Sequence, residues 1–73
     1  PYDAVFGGED GLYYIREFFK DLKKHIVPGG IVYIEFDTHQ REEIEKLAKK
    51  AGATSTDIQK DQFGNWRYAR IIF

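Results

Sequence analysis

Ile31-Val32-Tyr33-Ile34-Glu35-Phe36 is the stretch on which the fold turns, with Glu35 as its only charged residue. Successive residues of a strand point to opposite faces, so Ile31, Tyr33 and Glu35 share one face and Val32, Ile34 and Phe36 the other. A strand with one wet face alternates apolar and polar residues. Here both faces are mostly apolar, the pattern of a strand buried in a parallel or mixed sheet with layers on each side. The spacing therefore predicts an α/β fold with this strand as its first.

On the N-terminal side, Pro28-Gly29-Gly30 stops a helix predicted over Gly11–Ile26. Leu12, Ile15, Phe19, Leu22 and Ile26 form one stripe of 3.6-residue period. Asp10 is placed to cap its start, Glu9 adds negative charge there, and Lys23, Lys24 and His25 load its last turn. On the C-terminal side, Asp37 or Thr38 caps a second helix over His39–Ala51, with Ile44, Leu47, Ala48 and Ala51 as a narrow apolar stripe. Glu42–Lys46 and Glu45–Lys49 have the spacing of favourable helical ion pairs, and Gly52 suits the left-handed position after the helix. Thr54–Lys60 reads as a polar edge strand, Asp61–Asn65 as a hairpin turn, and Trp66–Phe73 as the last strand.

A strand–helix–strand crossover is right-handed and makes its two strands parallel. The hairpin then folds the third strand back antiparallel, and its apolar character places it centrally. The order helix-strand-helix-strand-strand thus gives a sheet ordered first–third–second, with both helices on one face. The other face and the free edge of Ile31–Phe36 are left uncovered. Such an edge is a template for strand addition, so a homodimer through Ile31–Phe36 is expected.

At 73 residues the chain amounts to one small domain or part of one. It contains no Met, as for a chain shorn of its initiator or cut from something longer. Hydrophobic residues at 42% and aromatics at 16% suffice for a folded core. A net charge of −1 supplies no electrostatic footprint for nucleic acid or an anionic membrane. No apolar run approaches the length of a membrane span. The absence of cysteine removes disulfide frameworks and thiolate metal sites, in keeping with a cytoplasmic protein.

Candidate chemistry is sparse. Phe6-Gly7-Gly8-Glu9-Asp10-Gly11 resembles a phosphate loop in glycine content alone. Phe6 occupies the first glycine position of the dinucleotide fingerprint, no strand is predicted before it, and two acids at the helix start would repel phosphate. A turn and helix cap is the favoured reading. His39 lies near Asp37, Glu42 and Glu43 but lacks metal-binding spacing, and reads as a solvent-facing residue. Glu42, Glu43 and Glu45 read as a solvated helix face, and the lone Ser55 has no assembled triad. Trp66, Tyr68 and Arg70 fall on one face by alternation, which permits a stacking platform but more simply makes aromatic cover for the sheet.

The chain nonetheless resembles a known family. Pro1-Tyr2-Asp3-Ala4-Val5-Phe6-Gly7-Gly8-Glu9-Asp10-Gly11-Leu12 follows the P-x-x-A-L-x-G-G-x-D-G-L pattern of HemK-type (PrmC) protein-glutamine methyltransferases. The similarity continues through Pro28-Gly29-Gly30, Ile34-Glu35 and Gln40, and ends with Lys60-Asp61 followed by Gly64 and Arg67. Phe36-Asp37 stands where that family usually has Ile-Gly. The resemblance implies the C-terminal part of a Rossmann-like methyltransferase fold, a single partial domain over residues 1–73. The family uses S-adenosylmethionine to methylate a glutamine of peptide-chain release factors. Its cofactor loop and N-P-P-Y motif lie upstream of the matching segment, so no catalytic, cofactor or metal residue carries over, and the chain alone is expected to be inactive. Glu35, Asp37 and Gln40 fall near the C-terminal end of the first predicted strand, where open α/β sheets bind ligands, and are candidates for the rim of the parent site. The expected partners are a missing N-terminal half or a second copy, and a release factor in the parent family. The alternative is a stand-alone structural or interaction module, or half of a split enzyme, associating through the open sheet edge.

Overall fold

Both faces and both edges of Ile31–Phe36 find different surroundings in the computed structural model, which describes residues 11–73 and the strand path of residues 2–6. The strands are β1 (Tyr2–Phe6), β2 (Ile31–Phe36), β3 (Ser55–Lys60) and β4 (Trp66–Ile72), and the helices are α1 (Gly11–His25) and α2 (Arg41–Lys50). The sheet order is β1-β2-β4-β3. Among the last three strands this is the expected order, with β4 antiparallel to both neighbours.

The addition is β1, which pairs parallel to β2 from Tyr2↔Val32 to Phe6↔Phe36. It corrects two expectations: a strand does precede the glycine-rich segment, and the edge of Ile31–Phe36 is occupied. A homodimer through that edge therefore loses its template. Tyr2-Asp3-Ala4-Val5-Phe6 is short and includes Asp3 and Ala4, both poor strand formers. What makes it a strand is the row of backbone groups that β2 offers, a non-local partner that local propensity does not register. The turn and cap reading of Gly7–Asp10 lies outside the described residues.

The core fills one side of the sheet. Ile15, Phe19 and Leu22 of α1 and Ile44 and Ala48 of α2 form a single buried cluster with Val32, Ile34, Phe36, Ala69 and Ile71. Leu12 and Ile26, the ends of the α1 stripe, pack against it partly buried. Across β2 the burial alternates, because Val32, Ile34 and Phe36 meet the helices while Tyr33 remains exposed.

The connections are built by their glycines where backbone geometry demands them. After α1, Val27-Pro28-Gly29-Gly30 closes a turn through a 2.9 Å hydrogen bond from Gly30 N to Val27 O. Gly29 adopts φ +86°, the type II geometry with proline before it. Phe73 then bonds this turn in both directions, tying the chain end to the start of β2. After α2, Gly52 at φ +95° places the Ala53 amide on Ala48 O and its own amide on Lys49 O, a Schellman stop. Two surface ion pairs differ from the expected ones: Glu45 is held by Arg41 at 3.0 Å, and Glu43 by Arg16 of α1 at 3.0 Å. No described helix is long and apolar enough to cross a membrane.

Phe36, at 1% exposure, is the largest of the fully buried side chains. Phe36→Ala should cost about 3–5 kcal/mol in urea denaturation, enough to unfold a domain of this size. Gln59→Lys, on the exposed edge strand, should change stability by less than about 0.5 kcal/mol in the same measurement.

Candidate functional site

The two parallel strands end side by side, with Phe6 opposite Phe36. Beyond β2 the chain turns at Asp37 into a 3₁₀ turn, Thr38–Gln40, that leads directly into α2. The turn is locked from within. The Asp37 amide donates to Gln40 Oε1 at 2.9 Å, and the Gln40 amide donates to Asp37 O at 2.8 Å. This D-x-x-Q spacing has the form of a capping box, which delays the α-helix from His39 to Arg41.

Gln40 is fully buried, and its Nε2 has no hydrogen-bond partner among the described residues. The first residue of α1, Gly11, is packed against that amide so closely that a Cβ there would collide with Gln40 Nε2. Gln40 thus joins the end of β2 to the start of α1. Of the three residues singled out from the sequence, Asp37 and Gln40 come together, and Glu35 does not. Glu35 is half-buried on the sheet face turned away from the helices, between Val5 and Tyr68 in the register. His39 is exposed, as is Ser55. Among the described residues no group of three or more histidine, aspartate or glutamate side chains could hold a metal.

Trp66 lies beside this turn. Thr38 Oγ1 donates to Trp66 O at 2.9 Å, and Arg41 Cζ and Lys60 Nζ lie 4.7 and 4.6 Å from the centre of its ring. Each cation–π contact is worth about 0.5–1 kcal/mol where exposed. Simple alternation had placed Trp66 with Tyr68 and Arg70. The pairing instead passes from Gln59↔Tyr68 to Lys60↔Trp66, skipping Arg67. That bulge breaks the alternation and lets Trp66 pack against the core cluster on the helical side. The stacking platform is therefore not assembled. Thr38 and Arg41 carried no motif of their own, whereas the Asp37–Gln40 spacing was readable.

The Lys60-Asp61, Gly64 and Arg67 residues build the hairpin. Asp61 Oδ1 accepts the amides of Phe63 and Asn65 at 2.9 and 3.0 Å, and its Oδ2 meets Arg67 Nε at 3.1 Å. The Asn65 amide, with lesser help from the Phe63 amide and Arg67, holds the Asp61 carboxyl below the usual aspartate range. Gly64 takes φ +82° in the turn.

Comparison with known proteins adds what geometry does not. The chain is 36% identical over 61 residues to the release factor glutamine methyltransferase of Caulobacter vibrioides, which covers 84% of this chain and 21% of the relative. The enzyme of the same name from Clostridium acetobutylicum is 33% identical over 61 residues, again 84% of this chain and 21% of the relative. That of Thermodesulfovibrio yellowstonii is 28% identical over 64 residues, 88% of this chain and 23% of the relative. The chain spans about a fifth of the length of the curated relatives it matches. No family model matches it, and no solved structure does.

Two outcomes follow from this geometry. Gly11→Ala should destabilise the chain by about 1–3 kcal/mol through overpacking, and Gln40→Ala should remove most of that penalty, so a double-mutant cycle in urea reads a coupling between them. Because its folded carboxyl is more acidic than its unfolded one, Asp61 contributes stability above about pH 4 that is lost as pH falls through the folded value. Asp61→Asn should lower the melting temperature at neutral pH and flatten the acid limb of a melting-temperature–pH profile.

Proposed function

The chain matches a C-terminal fragment of release factor glutamine methyltransferases, and from that premise we propose that it forms the C-terminal part of an S-adenosylmethionine-dependent methyltransferase domain and does not methylate by itself. The observation that carries this reading is the uncovered sheet face. Tyr33 and Tyr68 stand 41% and 42% exposed there, beside half-buried Ile31, Glu35, Arg70 and Ile72. A mixed α/β sheet is ordinarily covered on both faces. The remainder of the domain, some four-fifths of the relatives' length, is the partner that would cover this one.

The described residues do not fit S-adenosylmethionine on their own. Gln40 is sealed under Gly11, its Oε1 is engaged by the Asp37 amide, and Glu35 lies on the other face of the sheet. In the assembled domain Asp37 and Gln40 shape the carboxyl end of β2, Glu35 borders the uncovered face, and all three are rim rather than reacting groups. The assembled enzyme would be cytoplasmic and act on a release-factor glutamine. One observation favours a second reading, a stand-alone interaction module: β1 already fills the edge of β2. A second copy would then cover the open face in place of the missing domain.

Titration calorimetry of S-adenosylmethionine into the 73-residue chain should give no binding in the micromolar range. Micromolar binding would overturn the fragment reading. Light scattering on a dilution series separates the two partners: a monomer supports the fragment, and a stable dimer supports the module.

A further inference from the structure

Helices α1 and α2 leave a groove of 460 Å³ between them that shares no residue with Glu35, Asp37 and Gln40. Its floor is apolar, made by Phe19, Leu47 and Ala51. Lys20 and Lys23 of α1 face Lys46 and Lys50 of α2 across it. Arg16 and Glu43 also line the groove, but their 3.0 Å ion pair cancels both charges. None of the four lysines has a carboxylate within ion-pair distance among the described residues. The expected Glu42–Lys46 pair does not form among the described residues, and Glu43 and Glu45 are taken by Arg16 and Arg41. On a chain of net charge −1, this is a concentrated island of positive potential over an apolar floor.

We propose that this groove docks an acidic peptide segment of a partner protein, one that lays an apolar side chain on half-buried Leu47 and Ala51, with Phe19 buried behind them, between flanking carboxylates. Charge complementarity selects the acid. Lysine ammonium groups are mobile point charges that meet carboxylates without a fixed bidentate geometry, and their stems can fold down along the apolar ligand. Single-stranded nucleic acid fits less well, since it binds through aromatic stacking as well as charge. The one ring in the groove, Phe19, is 3% exposed and offers no platform. The proposal is independent of the methyltransferase reading and would stand or fall without it.

The test is fluorescence anisotropy with the full 73-residue chain and a labelled peptide carrying one phenylalanine flanked by glutamates. Binding is expected at low ionic strength, weakening about tenfold or more as salt shortens the screening length to roughly 8 Å. Lys23→Glu and Lys46→Glu should each weaken it about tenfold. Lys24→Glu makes the same charge change at an exposed α1 position outside the groove and should have little effect. With the unaltered chain, replacing the peptide's phenylalanine by alanine should also weaken binding, a comparison that needs no protein variant. The proposal is overturned by absence of binding at low salt, by equal losses for Lys24→Glu and Lys23→Glu, or by tighter binding of a single-stranded RNA of equal charge.

Discussion

The backbone of Ile31–Phe36 is paired on both sides, parallel to Tyr2–Phe6 and antiparallel to Trp66–Ile72. The rest of the structure depends on that double pairing. A strand with Val32, Ile34 and Phe36 buried under two helices cannot leave its polar backbone unsatisfied at the same depth without a cost of a kcal/mol or more per group. With both sides paired, β2 becomes the rigid line from which α1 is hung at one end and the Asp37–Gln40 turn at the other. The contact between Gly11 and the Gln40 amide follows, since the start of α1 and the exit of β2 are brought to the same end of the sheet.

The same arrangement bears on function. The helices and one sheet face make a closed apolar cluster, while the other face keeps two tyrosines largely exposed. A protein built this way has a core of its own and an unfinished surface. That combination suits a portion of a larger α/β domain, as does a match to about a fifth of each methyltransferase relative. At the carboxyl end of β2 the Asp37 amide and the Gln40 side-chain carbonyl are spent on one another. The charged groove between the helices is a separate feature, on elements that the open face does not use.

Local pattern carried much of this fold in plain view. The α1 stripe, the Pro28-Gly29 turn, the Gly52 stop and the Asp61–Asn65 hairpin are all short-range devices, and each forms as its residues dictate. The sheet order among β2, β4 and β3 followed from connection handedness and hairpin pairing. What escaped the sequence was non-local. Tyr2–Phe6 becomes a strand because β2 offers it hydrogen bonds, and Trp66 changes face because one skipped residue at Arg67 resets the alternation. Gln40 looked like a polar rim residue and is buried completely, because its side-chain carbonyl has an amide to cap three residues earlier. Its place just after the first predicted strand was legible, and its burial was not.

Amide hydrogen exchange across Ile31–Phe36 tests the central claim most directly, because alternate amides of this strand point to its two neighbours. The account predicts slow exchange at every amide of the strand, with those facing Tyr2–Phe6 protected like those facing Trp66–Ile72, and rapid exchange at the outward amides of Ser55–Lys60. Rapid exchange at every second amide of Ile31–Phe36 would show a bare edge there and contradict it.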